Sequence, residues 1–196
     1  MDAQPRRRLR EAADDEALAL LVSFLGTALR DHVGDPELDA LADIRSARRW
    51  IGAALVERQR LGGVESGDVF LAEQDLEPLR ALRESLRDSV HASRAEFAGA
   101  PFRVTTGLEV SWGTDGGLAA RPTGAGWRAV AGLIMVEMLL ARATDRLRKL
   151  KTCAYQPCGA PFVDHSPNLS RSWHDTAKCG NAVNLRASRA RRREDG

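Results

Sequence analysis

Cys153, Cys158, His174 and Cys179 are the side chains whose types and spacing best suit chemistry, and that chemistry is metal binding. They include every cysteine of the chain. Four residues separate Cys153 from Cys158, four separate His174 from Cys179, and fifteen lie between the pairs. Two close pairs of soft or borderline donors suit a structural zinc site, one ion per chain. The loop Ala154-Tyr155-Gln156-Pro157 is short enough to bring two sulfurs to one ion. Asp175 suits the N-cap of a helix starting at Thr176, which puts Cys179 in its first turn. The positive end of that helix favours bound thiolate. Phe162 and Trp173 are expected to form the small apolar core of the module. His165 is a second imidazole within range. His174 is preferred as fourth ligand because it pairs locally with Cys179, which leaves His165 exposed or outside the ligand set.

The helix that follows is basic. From Thr176 to about Arg193, Cys179, Val183, Ala187 and Ala190 fall on one face and Ala182, Arg186, Arg189 and Arg193 on another, with Arg191 and Arg192 broadening it. From Arg142 onward twelve Lys and Arg stand against five acids, a surplus of seven, while the rest of the chain carries a deficit of five. An acidic body with a basic C-terminal module suits a polyanionic partner, here double-stranded DNA. Arg186, Arg189, Arg192 and Arg193 are the candidate phosphate contacts, with a steep salt dependence. Asn181, Asn184 and Arg186 are the candidates for base edges.

The elements that must position these residues are mostly helical. A first helix carries Leu18, Leu21, Phe24, Leu25 and Leu29 and ends near His32 to Gly34. Asp35-Pro36 starts a second, whose stripe runs Leu38, Leu41, Ile44, Ala47, Ile51, Leu55, with a break near Asp43 and an end at Gly62-Gly63. A third spans about Asp75 to His91, with Leu76, Leu79, Leu82, Leu86 and Val90 inward. Arg80, Arg83 and Arg87 are expected to pair with Glu77 and Glu84. Alternation over 102–120, from Phe102 and Val104 to Trp112, turning at Thr114-Asp115-Gly116-Gly117, predicts a small hairpin. A long helix, Trp127 to Leu150, with Val130, Ile134, Met138 and Ala141 inward, then leads straight into the first cysteine. The predicted fold is therefore mostly α with one small β-hairpin. It comprises a helical domain over 1–150 and a zinc-finger module of treble-clef-like type over 151–196. Replacing Cys153 is expected to unfold the module and spare the helices.

The stretch Cys153…Cys158, Phe162-Val163-Asp164, Ser166-Pro167-Asn168, Ser170-Arg171-Ser172-Trp173 and Cys179-Gly180-Asn181 resembles the CGNR zinc finger. Upstream, Phe24-Leu25-Gly26-Thr27, Leu79-Arg80-Ala81-Leu82-Arg83-Glu84 and Arg146-Leu147-Arg148 resemble the ABATE domain that usually precedes it. The resemblance implies a transcription regulator whose finger binds DNA and whose larger domain senses a stress or a small molecule. Two positions depart from the family. His174 stands where Cys is usual, which keeps a zinc donor but changes the charge of the site. Ala182 stands where the family has Arg, removing one basic residue from the stripe it shares with Arg186.

Other functions are weaker readings of the same residues. A zinc-stabilised protein-interaction module without nucleic-acid binding is the main alternative. An enzyme is not expected: four protein ligands leave no open position for water, and the Cys-x-x-Cys and His-x-Glu of zinc deaminases are missing. One finger offers few contacts, so a homodimer through the N-terminal domain is expected. Trp50, Trp112 and Trp127 with His32 or His91 are candidates for a ligand pocket, or else core and interface anchors. No apolar run approaches the roughly 18 residues of a membrane span. The basic, then acidic, start lacks the apolar core of a signal peptide, so a reducing cytoplasm is expected.

Overall fold

The computed structural model describes residues 15–29, 38–60, 69–92 and 103–194, apart from 115, 117 and 156. Helix α1 (Ala19–Leu25) buries Leu20, Leu21, Phe24 and Leu25. It is shorter than its leucine period suggests. The chain turns at Gly26, and Ala28–Leu29 (β1) pairs antiparallel with Leu38–Asp39 (β2). Leu29 and Leu38 thus belong to strands, not helices. The expected helix end at His32 to Gly34 and the Asp35-Pro36 start lie outside the described residues.

Helix α2 (Ile44–Arg60) begins where a break was expected. Asp43 is its cap, accepting from the Ser46 N–H at 2.9 Å and the Ser46 hydroxyl at 2.7 Å. Its buried face is Ala47, Ile51 and Ala54, at helical spacing. The Gly62-Gly63 end lies outside the described residues. Helix α3 (Leu76–Ala92) buries Leu76, Leu79, Leu82, Leu86 and Val90. Asp75 accepts from the Ala72 N–H at 2.8 Å and the Trp127 N–H at 3.0 Å, so one carboxylate ties the starts of two helices together. Gly126 permits this at φ 58°, for a Cβ there would lie 2.5 Å from Asp75 Oδ1.

The arginines of α3 do not chiefly pair along their own helix. Arg83 grips Asp39 through two bonds of 2.6 and 2.8 Å and donates to the Thr27 hydroxyl, and its contact with Glu84 matches the expectation. Arg80 donates to the Leu41 carbonyl, and Arg87 to those of Leu25 and Ala28. The physical reason is that carbonyls left over at the end of α1 and around β1–β2 face this side of α3 and need donors.

Hairpin strands β3 (Leu108–Trp112) and β4 (Leu118–Pro122) pair in register Leu108↔Pro122 to Trp112↔Leu118. The hairpin is shorter than predicted; Phe102 is not among the described residues, and Val104 packs on the main core ahead of the strand. Helix α4 (Trp127–Ala143) is the central element, with Val130, Leu133, Ile134 and Ala141 buried and Met138 packed against them. It stops seven residues before Leu150. Asp145 takes a left-handed φ of 58°, and the Arg146 N–H reaches back to the Ala141 carbonyl at 2.7 Å, closing the helix end. A single turn at Leu147–Lys149 then delivers β5 (Leu150–Thr152), which pairs antiparallel with β6 (Pro161–Val163). Leu150 is buried in the same core as α1–α4, and Val163 packs against it. The architecture is thus mostly helical, with three small strand pairs among the described residues. No described helix is long and apolar enough to cross a membrane.

Candidate metal centre

Strand β5 runs directly into the first ligand. The Cys153 N–H continues the ladder to the Ala160 carbonyl at 2.8 Å. Between them the chain reverses: the N–H groups of Cys158 and Gly159 both donate to the Tyr155 carbonyl, and Gly159 adopts φ 58°. This knuckle holds Cys153 and Cys158 side by side.

The second pair is positioned by a loop built on a buried ion pair. Asp164 is fully buried and accepts from Lys151 at 2.6 Å, from the Ser166 N–H and hydroxyl, and from the Arg171 N–H. Lys151 also donates to the carbonyls of Leu169 and Arg171. Burial opposes the Asp164 charge, but Lys151 and Ser166 outweigh it and hold the carboxyl below its ordinary range. Arg171 then donates to the His174 carbonyl at 2.7 Å, and the Ala154 N–H donates to the Ser172 carbonyl. Lys151 and Asp164 are the functional positions that spacing arguments overlooked. Lys151 lies mid-strand and follows Arg148 and Lys149, so nothing sets it apart in the sequence, whereas Asp164, just past β6, is the one acid between Asp145 and Asp175.

Asp175 caps the last helix as expected, accepting from the Lys178 N–H at 3.0 Å. Its first turn, Thr176–Gly180, is wound wide, and helix α5 (Asn181–Glu194) continues from it. Cys179 sits in that turn, fully buried. Gly180 lets the turn close on Trp173, whose ring would lie 3.2 Å from a Cβ there.

These elements converge the four donors. The ligand atoms of Cys153, Cys158, His174 and Cys179 all lie within 4.8 Å of one another. His174 Nδ1 is 3.3 Å from Cys158 Sγ and 3.5 Å from Cys179 Sγ. A zinc tetrahedron with ordinary Zn–S and Zn–N bonds has S···N edges of about 3.5 Å. Burial pushes the Cys158 thiol up, and burial with the neighbouring sulfurs pushes Cys179 up to about 12. Three thiols packed this closely cannot all ionise without a cation among them, so the set fits one divalent zinc ion. His165 is outside it: its Nε2 faces Asp15 Oδ1 at 2.9 Å, across to the start of the chain's first described turn.

The module's apolar core is Tyr155, Ala160, Trp173, Ala182 and Val183 around the cysteines. Phe162 is buried but stands outside that cluster, under the Arg171 guanidinium. Tyr155 is 7% exposed and carries the Arg186 guanidinium 5.0 Å above its ring. Ala182 is half-buried and packs against this core, not on the open basic surface.

Asn181, Asn184, Arg186, Arg189, Arg192 and Arg193 are all exposed. Of the expected inward face of α5, Cys179 and Val183 are covered, while Ala187 and Ala190 are not. Beyond Arg186, which stacks on Tyr155, the described residues of the helix are exposed apart from a half-buried Ser188. The tryptophans do not share a pocket. Trp50 lines a cavity of about 640 Å³ with Ser23, Thr27, Asp39 and Arg49, whereas Trp112 is 80% exposed on the hairpin and Trp127 packs at the start of α4. His32 and the His91 side chain are not among the described groups.

Residues 149–192 match the CGNR zinc finger family, and the match covers the β5–β6 pair, all four donors and most of α5. No curated protein matches the chain.

Proposed function

We propose that this protein is a DNA-binding transcription regulator in which zinc fixes the root of α5 and the helical part serves as a sensing or dimerisation domain. The observation that carries the reading is the placement of α5. Its first turn supplies Cys179 to the metal centre, and its outer two turns hold Arg189, Arg191, Arg192 and Arg193 in solvent. Such a helix suits the phosphates and the major groove of duplex DNA. The resemblance of the upstream region to the ABATE domain supports the regulator role, and the cavity beside Trp50 suits a small-molecule effector. The centre is read as structural, not catalytic, because four protein donors complete a tetrahedron.

Arg186 is engaged with Tyr155, so the free arginines test the reading best. Binding of the zinc-loaded chain to duplex DNA should weaken steeply with salt. Arg189→Glu with Arg192→Glu should lower the slope of log K against log salt by about two while zinc content stays unchanged. Unchanged DNA affinity in that variant would favour a protein-interaction module, the alternative to which the exposed Leu185 on the same helix lends weight.

A further inference from the structure

Strand β3 carries apolar residues that no described part of the fold covers. All five residues of β3 are exposed, and Leu108, Val110 and Trp112 occupy one face at 48, 57 and 80% exposure, rising toward the tip. Strand β4 lies against α4, so β3 is the outer edge. Of the devices that blunt edge strands, β3 has one charge, Glu109, which is paired with Arg121, and no proline, lysine or bulge. A tryptophan left 80% in water on an open strand edge is an interface residue in search of its partner.

We propose that the partner is a second copy of this chain, joined by antiparallel pairing of β3 with β3 about a two-fold axis at Val110. The sequence of the strand is complementary to itself in that register. Val110 meets Val110 of the other copy on the axis, and Leu108 meets Trp112 on either side. On the opposite face Glu109 falls opposite Ser111, so no two carboxylates confront each other. Glu109 keeps its ion pair with Arg121 at 2.6 Å. Moving the axis to Glu109 sets two carboxylates opposite each other and carries Trp112 out of the pairing, and moving it to Ser111 carries Leu108 beyond the partner strand. The product is one four-stranded antiparallel sheet, β4–β3–β3–β4, carrying a continuous apolar row of six side chains. An isologous contact of this kind closes on itself and gives a dimer, not a fibre. The inference does not depend on DNA binding, since oligomeric state is read without DNA.

The experiment uses the full zinc-loaded chain. Sedimentation equilibrium should show a reversible monomer–dimer exchange, as expected for an interface at the small end of the size range. Val110→Lys, which sets two ammonium groups face to face on the axis, should leave a monomer with the same far-ultraviolet circular dichroism. Val110→Cys should form a disulfide-linked dimer under mild oxidation, whereas Ser111→Cys should not, because its counterpart lies two positions away. A wild-type chain that stays monomeric, or a dimer that Val110→Lys leaves intact, overturns the proposal. If Val110→Lys fails to fold, the cysteine pair decides: cross-linking at 110 but not 111 supports it, and equal or no cross-linking refutes it.

Discussion

At the scale of single residues, burial sets the chemistry. Burial holds the Cys158 and Cys179 thiols above their ordinary range, Cys179 most of all. Zinc must displace their protons, so loading at neutral pH should release at least about two protons per ion from Cys158 and Cys179. Calorimetric titrations in buffers of different ionisation enthalpy measure this, and a proton count near zero would contradict it. Glu137 is a buried carboxyl whose proton burial favours. It sits on α4 and accepts from the Leu21 N–H at 2.9 Å, capping the start of α1 across the core. Burial raises its carboxyl from 4.5 to about 7, against the pull of Leu21 and Arg58. Folding therefore takes up a proton between those values. The stability this confers is fully present below that window and is lost as pH rises through it. Glu137→Gln keeps the acceptor and removes the titration. It should be more stable than the wild type at pH 8 by up to about 3 kcal/mol, the advantage shrinking toward pH 5. An equal difference at both pH values in denaturant unfolding would refute this account of Glu137.

At the scale of elements, α5 depends most on the metal. It has 14 residues, and isolated helices of that length are marginal in water. Its anchors are Cys179, the Asp175 cap, Val183 and the Arg186–Tyr155 stack, all at its first two turns. Removing zinc with a strong chelator should therefore melt α5, seen as a loss of helical circular dichroism; an unchanged spectrum would show that it holds without the ion. The same elements show what the sequence made legible. The ligand set could be read because cysteine is rare here and its spacing is meaningful. The cap at Asp175 and the break at Asp43 could be read because a capping side chain acts on its own neighbours. The overrun of α4 has a physical cause: Leu147 and Leu150 keep the helical period, but Leu150 reaches the core from a strand, and no glycine marks the left-handed turn at Asp145. The arginine face of α3 misled for a related reason. Its partners are carbonyls and Asp39, distant in sequence, which local spacing cannot reveal.

At the scale of the whole molecule, the boundary near residue 150 is not a linker. Leu150 is buried among the residues of α1–α4, and β6 packs beside α1, with Pro161 3.8 Å from where a Cβ of Gly26 would stand. Burying one such leucine contributes about 1.5–3 kcal/mol. Loss of the metal should therefore reach the helices. Thermal unfolding of the chelated chain should show a lowered transition for the entire protein, in place of an intact helical part beside an unfolded tail. Two separate transitions, the upper unmoved by chelator, would restore the independent module that the sequence suggested.

The central claim is that one zinc ion is held by Cys153, Cys158, His174 and Cys179. X-ray absorption at the zinc edge of the purified full chain tests it most directly. Three sulfurs at about 2.3 Å and one nitrogen at about 2.0–2.1 Å are expected around the ion. A shell of oxygen and nitrogen alone, or a chain that retains no zinc, would contradict it.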